Sequence, residues 1–332
     1  MEQEKDILLE IKDYTVEFHT ETGVKQAING LNLKIHKGES LGLVGEAGAG
    51  KTTTALSILR LLPKHSAKIK GGTIHFNGQD MGKLSQRELR AIRGAKISMI
   101  FQNPLTSLNP VFTVGEQIAM VLRRHKGLKN SEALKEAGDL MEVVGIARER
   151  LKDYPHQFSG GMRQRIGIAA ALACNPELLI ADEPTTALDV TIQAQIMELM
   201  KKLQQQYDTS LLMITHNLGI ISELCKNVAV MYAGAIIEYG TVKEVFSNPA
   251  HPYTQGLLGA IPSLEDEKER LTAIPGEVAN AYHLPTGCSF NPRCQLCRET
   301  CKKDRPRMIQ LNENHFVACQ AYEGRQTDGG RE

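Results

Sequence analysis

Gly45-Glu46-Ala47-Gly48-Ala49-Gly50-Lys51-Thr52 stands between the apolar run Leu41-Gly42-Leu43-Val44 and a helical pattern of Thr53, Thr54, Ala55, Leu56, Ile58, Leu59 and Leu62, which Pro63 ends. The spacing Gly-x4-Gly-Lys-Thr, with a strand before it and a helix after it, is the phosphate-loop pattern and implies an α/β core. The glycines permit backbone angles that turn successive N–H groups inward as an anion nest. The helix beginning near Lys51 adds its positive N-terminal end. Lys51 is placed to contact the β- and γ-phosphates of a nucleoside triphosphate, and Thr52 to offer its hydroxyl to Mg²⁺.

Downstream, Leu178-Leu179-Ile180-Ala181-Asp182-Glu183 is an apolar strand that ends in two carboxylates. Asp182 emerges at the C-terminal edge of the strand, where it can bind Mg²⁺ through water, and Glu183 is placed to polarise an attacking water. Gln102 follows the apolar run 97–101 and can sense metal and water; His216 follows the run 211–215 and can contact the γ-phosphate. A lone His or Gln is ordinarily structural, and it is their position at the ends of adjacent strands that points to chemistry. Between these motifs lies Phe158-Ser159-Gly160-Gly161-Met162-Arg163-Gln164-Arg165. Ser159 reads as the N-cap of an apolar helix over 166–173, and the glycines leave backbone N–H groups bare. This is a second phosphate-binding helix end, yet one chain needs only one for its own triphosphate. The expectation is that it grips the γ-phosphate bound to a partner; a plain N-cap is the alternative.

The 332 residues suffice for one large domain with an appendage or for two modest domains. At 42% hydrophobic and 23% charged, the chain has the composition of a globular protein with a substantial core. A net charge of +1 gives no general reason to invoke nucleic acid. No run approaches the roughly 18 apolar residues of a membrane span, and the polar, acidic start Met1-Glu2-Gln3-Glu4-Lys5-Asp6 does not read as a secretory signal. A cytoplasmic protein is expected. The alternating stretches 7–12, 14–18 and 31–35 read as antiparallel strands with one wet face. Thr73 to Phe76 followed by Asn77-Gly78 reads as a hairpin, and 228–232 with 235–238 around Gly234 as another. The runs 97–101, 178–181 and 211–215 read as buried parallel strands, and 113–154 has helical periodicity without a strand. Beyond His251 the chain becomes richer in Pro, with the charge run 265–270, so a domain boundary is expected between about 250 and 262.

Together these motifs resemble the ATP-binding subunit of ABC transporters over essentially the whole chain. The resemblance implies an ATPase with a RecA-like core, an antiparallel β subdomain and a helical subdomain at about 103–165. It makes 1–255 the nucleotide-binding domain and 256–332 a small Cys-rich C-terminal extension. It identifies Gln102 as the Q-loop, Ser159-Gly160-Gly161 as the signature, Ala187-Leu188-Asp189 as the D-loop and His216 as the switch histidine. Met162 replaces the family's commoner Gln. Nucleotide contacts are then expected from Gly45, Glu46, Ala47, Gly48, Ala49, Gly50, Lys51, Thr52 and Thr53, with Gln102, Asp182, Ser159, Gly160 and Gly161 and with Phe18 as the adenine-stacking candidate, Glu21 and Thr22 standing where the family's aromatic usually does. Glu183, His216 and Gln102 are the expected catalytic residues, and Thr52, Gln102 and Asp182 the Mg²⁺ ligands. Two ATP molecules would be sandwiched head to tail between two subunits, each between one phosphate loop and the other chain's signature serine.

His251-Pro252-Tyr253-Thr254-Gln255-Gly256-Leu257-Leu258, Ile274-Pro275-Gly276-Glu277 and Gly287-Cys288-Ser289-Phe290-Asn291-Pro292-Arg293-Cys294 are similar to marks of the dipeptide/oligopeptide importers. The stretch 187–196 looks like the D-type subunit. The resemblance implies a second, F-type ATPase subunit, two transmembrane permease subunits docking near 103–114, an extracytoplasmic peptide-binding protein, and a place on the cytoplasmic face of the membrane. Another cargo (a nickel chelate or haem) and a soluble ABC ATPase outside transport are the alternatives.

Cys174 and Cys225 sit in apolar stretches and read as inert core residues. Cys288, Cys294, Cys297, Cys301 and Cys319 crowd the C-terminal end, which in a reducing compartment suggests metal before disulfide. By the resemblance, Cys288, Cys294, Cys301 and Cys319 match a four-cysteine motif that holds a [4Fe–4S] cluster in some members, with Cys297 as an alternative ligand. Iron–sulfur is the expectation, with zinc, or free thiols or disulfides, as the alternatives, and a small extension poor in apolar residues would use it as a staple.

Overall fold

The computed structural model describes residues 6–102, 107–186, 188–260 and 274–323. The chain forms two units. One is built from Asp80–Thr215 with the short segments Met1–Leu8 and Ile35–Ser40, the other from Leu9–Lys34, Leu41–Gln79 and His216–Glu332.

In the second unit, the alternation read at 7–12 and 14–18 is one strand, β1 (Ile7–Thr20), antiparallel to β4 (Ala67–Phe76). The two segments read as separate because Asp13 takes φ 45 and the register breaks between Lys12 and Thr15. Asn32, in β2 (Gly23–His36), donates from Nδ2 to Asp13 Oδ1 (2.8 Å) and accepts from Asp13 N, so the side chain supplies the local bonds that a left-handed non-glycine needs. The turn after β4 uses Asn77 and Gly78, both at positive φ, and leads into β5 (Gln79–Asp80), the hairpin its sequence signals.

The short strand β3 (Ser40–Val44) runs parallel to β9 (Asn227–Tyr232), and β10 (Ala235–Thr241) folds back antiparallel on β9. Helix α1 (Lys51–Ile58) follows the Gly-rich loop but stops before Leu62, because Arg60 adopts φ 51 and breaks the helical run. Two further strands were not read from the sequence. β12 (His315–Val317) pairs with β10, placing His315 opposite Gly240, and β11 (Ile309–Asn312) pairs with β12.

The first unit holds β6 (Ile97–Ile100), β7 (Leu178–Asp182) and β8 (Ser210–Ile214), all parallel in register Ile97–Leu178–Ser210. Their runs are apolar apart from Ser98, Asp182 and Ser210, because nearly every side chain on both faces is buried. Helix α2 (Gln86–Ile92) opens with a capping box between Ser85 and Glu88. The stretch read as helical gives α3 (Val114–Lys126), capped by Thr113 and stopped by Gly127 at φ 69, and α4 (Asn130–Val143). They bury Ile118, Ala119 and Leu122 against Ala133, Ala137 and Met141. Helix α5 (Gly160–Leu172) packs on β6, and α6 (Val190–Tyr207) on α5.

Back in the second unit, α7 (Leu218–Leu224), α8 (Val242–Ser247) and α9 (Pro252–Gly259) follow. His251 caps α9, its Nδ1 accepting from Tyr253 N (3.0 Å) while its own N–H donates to the buried Glu238 carboxylate, which also binds His315. At 1% exposure, burial pushes the His251 imidazole down to about 4. The unfolded chain therefore takes up this proton first: the contribution to stability is complete above pH 6.5 and is lost as pH falls toward 4, by about 3 kcal/mol in all. Thermal midpoints measured from pH 7 to pH 4 should fall, and His251→Asn, which keeps a capping oxygen, should flatten that fall. An unchanged pH slope in the variant would remove His251 from this role.

Candidate active site

In the second unit β3 delivers the chain to Gly45, where an added Cβ would lie 2.2 Å from the Met231 carbonyl oxygen. Gly50, at φ 107, is the N-cap of α1, and a Cβ there would come 2.5 Å from the Ala27 oxygen. Both positions are glycine because a neighbouring backbone leaves no room. Gly48, at φ 82, would meet no atom within 4 Å. The loop, with Gly45, Gly48 and Gly50 at positive φ, leads into the start of α1, whose first N–H groups can hold an anion. Lys51 reaches back across the loop, its Nζ donating to the carbonyls of Gly45 (2.7 Å) and Glu46 (3.1 Å). Thr52 and Thr53 open the helix beside it. His216 lies exposed after β8, held by the helix start at which Asn217 Oδ1 accepts from Gly219 N and Ile220 N. Phe18 lies half-buried on β1 opposite Ala67.

In the first unit β7 ends on Asp182, only 1% exposed. Glu183 leaves the strand at φ 47, a left-handed conformation that costs a non-glycine residue about 1–3 kcal/mol, and its N–H donates to Ile214 O (2.8 Å) in β8. Its Oε2 accepts from Gln102 Nε2 (2.8 Å) and from Thr186 Oγ1 (2.9 Å). Gln102 and Glu183 are thus brought together from sequence positions far apart, while Thr186 is a contact that sequence reasoning missed. Strain at a charged residue, held by two donors, is the mark of a site that needs this carboxylate in one place.

Ser159 Oγ accepts from Met162 N and caps α5. The glycines behind it serve packing as well as exposure: a Cβ on Gly161 would lie 2.5 Å from Ile192 Cγ2, and one on Gly160 would touch Leu188. Asp189 caps α6 through Ile192 N (2.9 Å), so the start of α6 seats against the start of α5. Ala187 of the expected D-loop, residues 103–106 of the expected permease-docking stretch and the charge run 265–270 lie outside the described residues.

The cysteines correct an expectation. Among the described residues no group of three or more His, Cys, Asp or Glu side chains is placed to hold a metal ion, and Cys288, Cys294, Cys297, Cys301 and Cys319 are free thiols. Burial, with neighbouring thiols adding to it, pushes Cys288 up to about 11 and raises Cys294, Cys297 and Cys319. This segment has other anchors: Phe290, Val317 and Ala318 are buried, β11 and β12 extend the sheet, and Arg293 pairs with Glu46. The iron–sulfur expectation, including Cys297 as alternative ligand, is therefore withdrawn. Cys225 is buried, as read, and its thiol is pushed up to about 12; Cys174 is half-buried.

The family described as ABC transporter matches residues 28–186, and that described as the C-terminal region of oligopeptide/dipeptide transporters matches 237–301. The chain is 49% identical to the dipeptide transport ATP-binding protein DppD of Bacillus subtilis, over 94% of each chain. It is 49% identical to the oligopeptide transport ATP-binding protein OppD of Salmonella typhimurium, over 96% of this chain and 94% of that one. Both relatives are described as transport ATP-binding proteins. A dimeric ATP-binding cassette in a post-hydrolysis state with ADP and Pi matches with a TM-score of 0.64 at 27% identity, over 71% of this chain and 99% of that one. The fold is the mixed α/β ABC ATPase cassette with a phosphate-loop sheet, and the chain belongs to the ABC transporter ATPases, in their oligopeptide/dipeptide branch.

Proposed function

We propose that this chain hydrolyses ATP to power the import of dipeptides or oligopeptides, and that it works as one of two ATPase subunits, the second of F type, beneath two permease subunits fed by an extracytoplasmic binding protein. The observation that carries the hydrolytic part is the strained Glu183 carboxylate held between Gln102 and Thr186 at the end of β7. The peptide cargo rests on the relatives' names and on the match at 237–301.

In this reading the N–H groups of residues 45–53 and the Lys51 ammonium bind the α-, β- and γ-phosphates. Glu183 accepts hydrogen bonding from, and polarises, the water that attacks the γ-phosphorus; Gln102 orients both. His216 contacts the γ-phosphate, and Phe18 stacks on the adenine. Thr52, Asp182 and Gln102 each carry an oxygen donor of the kind Mg²⁺ takes, and by the family resemblance these residues would hold it. Mg²⁺, when bound with ATP, neutralises phosphate charge. Ser159, Gly160 and Gly161 present the start of α5 to the γ-phosphate held by the partner ATPase, and the dimeric state of the related cassette supports this arrangement. We assign residues 1–255 to the nucleotide-binding domain, with the helical subdomain at about 103–165, and 256–332 to a Cys-rich C-terminal extension. Val111 and Phe112, 73% and 43% exposed beside α3, give the permease subunits an apolar surface at the cytoplasmic face of the membrane.

The test is Ser159→Arg in the assembled transporter. Blocking the second phosphate site should lower ATP turnover about 100-fold, since donors aimed at developing phosphate charge contribute on that scale, while this chain's own ATP affinity persists. Full turnover in the variant would reduce Ser159 to a plain helix cap.

A further inference from the structure

Glu46, the second residue of the phosphate loop, is held from outside the loop at both its side chain and its backbone. Arg293 donates from Nη1 to Glu46 Oε2 (2.7 Å) and from Nη2 to Oε1 (3.1 Å), a two-pronged pair whose arginine side chain is 4% exposed. The remaining face of the guanidinium is occupied too: Nε donates to Pro275 O (3.1 Å), Nη2 approaches Ile274 O (3.4 Å), and the group lies about 6 Å from the Tyr232 and Phe290 rings. The Glu46 N–H donates to Tyr253 Oη (2.8 Å), and Tyr253 is buried against Tyr232 and Phe290 with ring centroids 4.7 Å and 5.4 Å away. On its other side the Glu46 carbonyl accepts from Lys51 Nζ. A continuous chain of contacts therefore runs from residues 274–293 through Glu46 to the lysine of the loop.

We infer that Arg293 is a positioning residue of the ATPase: by fixing Glu46 it holds the loop N–H groups and Lys51 aimed at the nucleotide phosphates, so the segment after residue 274 sets the affinity for ATP. The inference rests on the phosphate-binding reading of residues 45–53. The guanidinium fork fixes the orientation of the Glu46 carboxylate, which a single point charge cannot do. Tyr253 fixes the peptide that precedes the nest. With both in place the loop is preorganised before nucleotide arrives, and less ordering has to occur on binding.

The experiment is steady-state hydrolysis of Mg-ATP by the assembled transporter carrying Arg293→Ala, Arg293→Lys, Glu46→Ala or the double variant Arg293→Ala/Glu46→Ala, each checked for a cooperative melt. Arg293→Ala should raise KM for ATP about 10-fold, with the loss on KM rather than kcat. Arg293→Lys should recover part of it, and the double variant should be no worse than the worse single one, because both remove the same contact. Should Arg293→Ala fail to fold, Arg293→Lys still has to show a raised KM. Unchanged KM in folded variants that merely melt earlier would make the pair a structural tie, and additive effects of the two alanine substitutions would place Arg293 and Glu46 in separate roles; either overturns the inference. Lys51→Ala separates this from failure of the underlying reading: if that variant binds Mg-ATP normally, the loop itself is misassigned, whereas if it loses ATP and Arg293→Ala does not, only the positioning role falls.

Discussion

Glu183→Gln should lower ATP turnover by the assembled transporter about a thousandfold while leaving ATP bound. The substitution keeps the shape of the side chain and an oxygen that can still accept from Gln102 and Thr186, so the strained turn at φ 47 has its two donors as before. What disappears is the negative charge that draws a proton from the attacking water. The expected phenotype is a complex stalled with ATP in place, read as stoichiometric retention of unhydrolysed nucleotide. Turnover within a few-fold of normal would show that the catalytic carboxylate lies elsewhere, and would leave the strain at Glu183 without a function.

Lys51→Ala has the second large effect, and it falls on binding. Lys51 is 7% exposed, and its ammonium bridges the carbonyls of Gly45 and Glu46 from within the loop. A cation so placed meets an anionic triphosphate with little side-chain ordering left to do. Hydrogen bonds to charged groups contribute about 1.5–3 kcal/mol each, so the affinity for Mg-ATP should fall about 10- to 100-fold, measured by calorimetry on the full chain. Because the loop fold depends on Gly45 and Gly50 rather than on the ammonium, the variant should melt near the temperature of the parent.

Much of this was legible in the sequence because several levels pointed the same way. At β3 and α1 the apolar run, the glycine spacing and the helical pattern agree, and at β7 the unbroken run Leu178 to Ala181 ends where the carboxylates begin. The hairpin around Gly234 has the same redundancy. The failures lie where one local contact decides. Asp13 in β1 depends on Asn32, and Arg60 ends α1 ahead of Pro63. The strands β11 and β12 are only four and three residues long; Ile309-Gln310-Leu311-Asn312 alternates, but over too short a run to mark a strand, and the pairing follows from the edge that β10 offers β12.

The candidate site shows the same division. Strand ends located Gln102 and Glu183, since a parallel sheet presents its C-terminal edge to ligands. Spacing could not show that Thr186 also bonds Glu183, nor that Arg293 reaches Glu46 from 247 positions away. The cysteines misled for a related reason. Five thiols close in sequence resemble a ligand set, but ligation depends on how side chains converge in space, which spacing does not record.

The central claim is that hydrolysis by this chain drives peptides across a membrane. It is tested by reconstituting the chain with the proposed second ATPase, permease subunits and binding protein in liposomes and following uptake of a labelled dipeptide and a labelled pentapeptide. ATP-dependent accumulation of at least one peptide, abolished by Glu183→Gln, is the predicted result. Robust ATP hydrolysis with neither peptide entering, while another cargo such as a nickel chelate or haem accumulates, would contradict it.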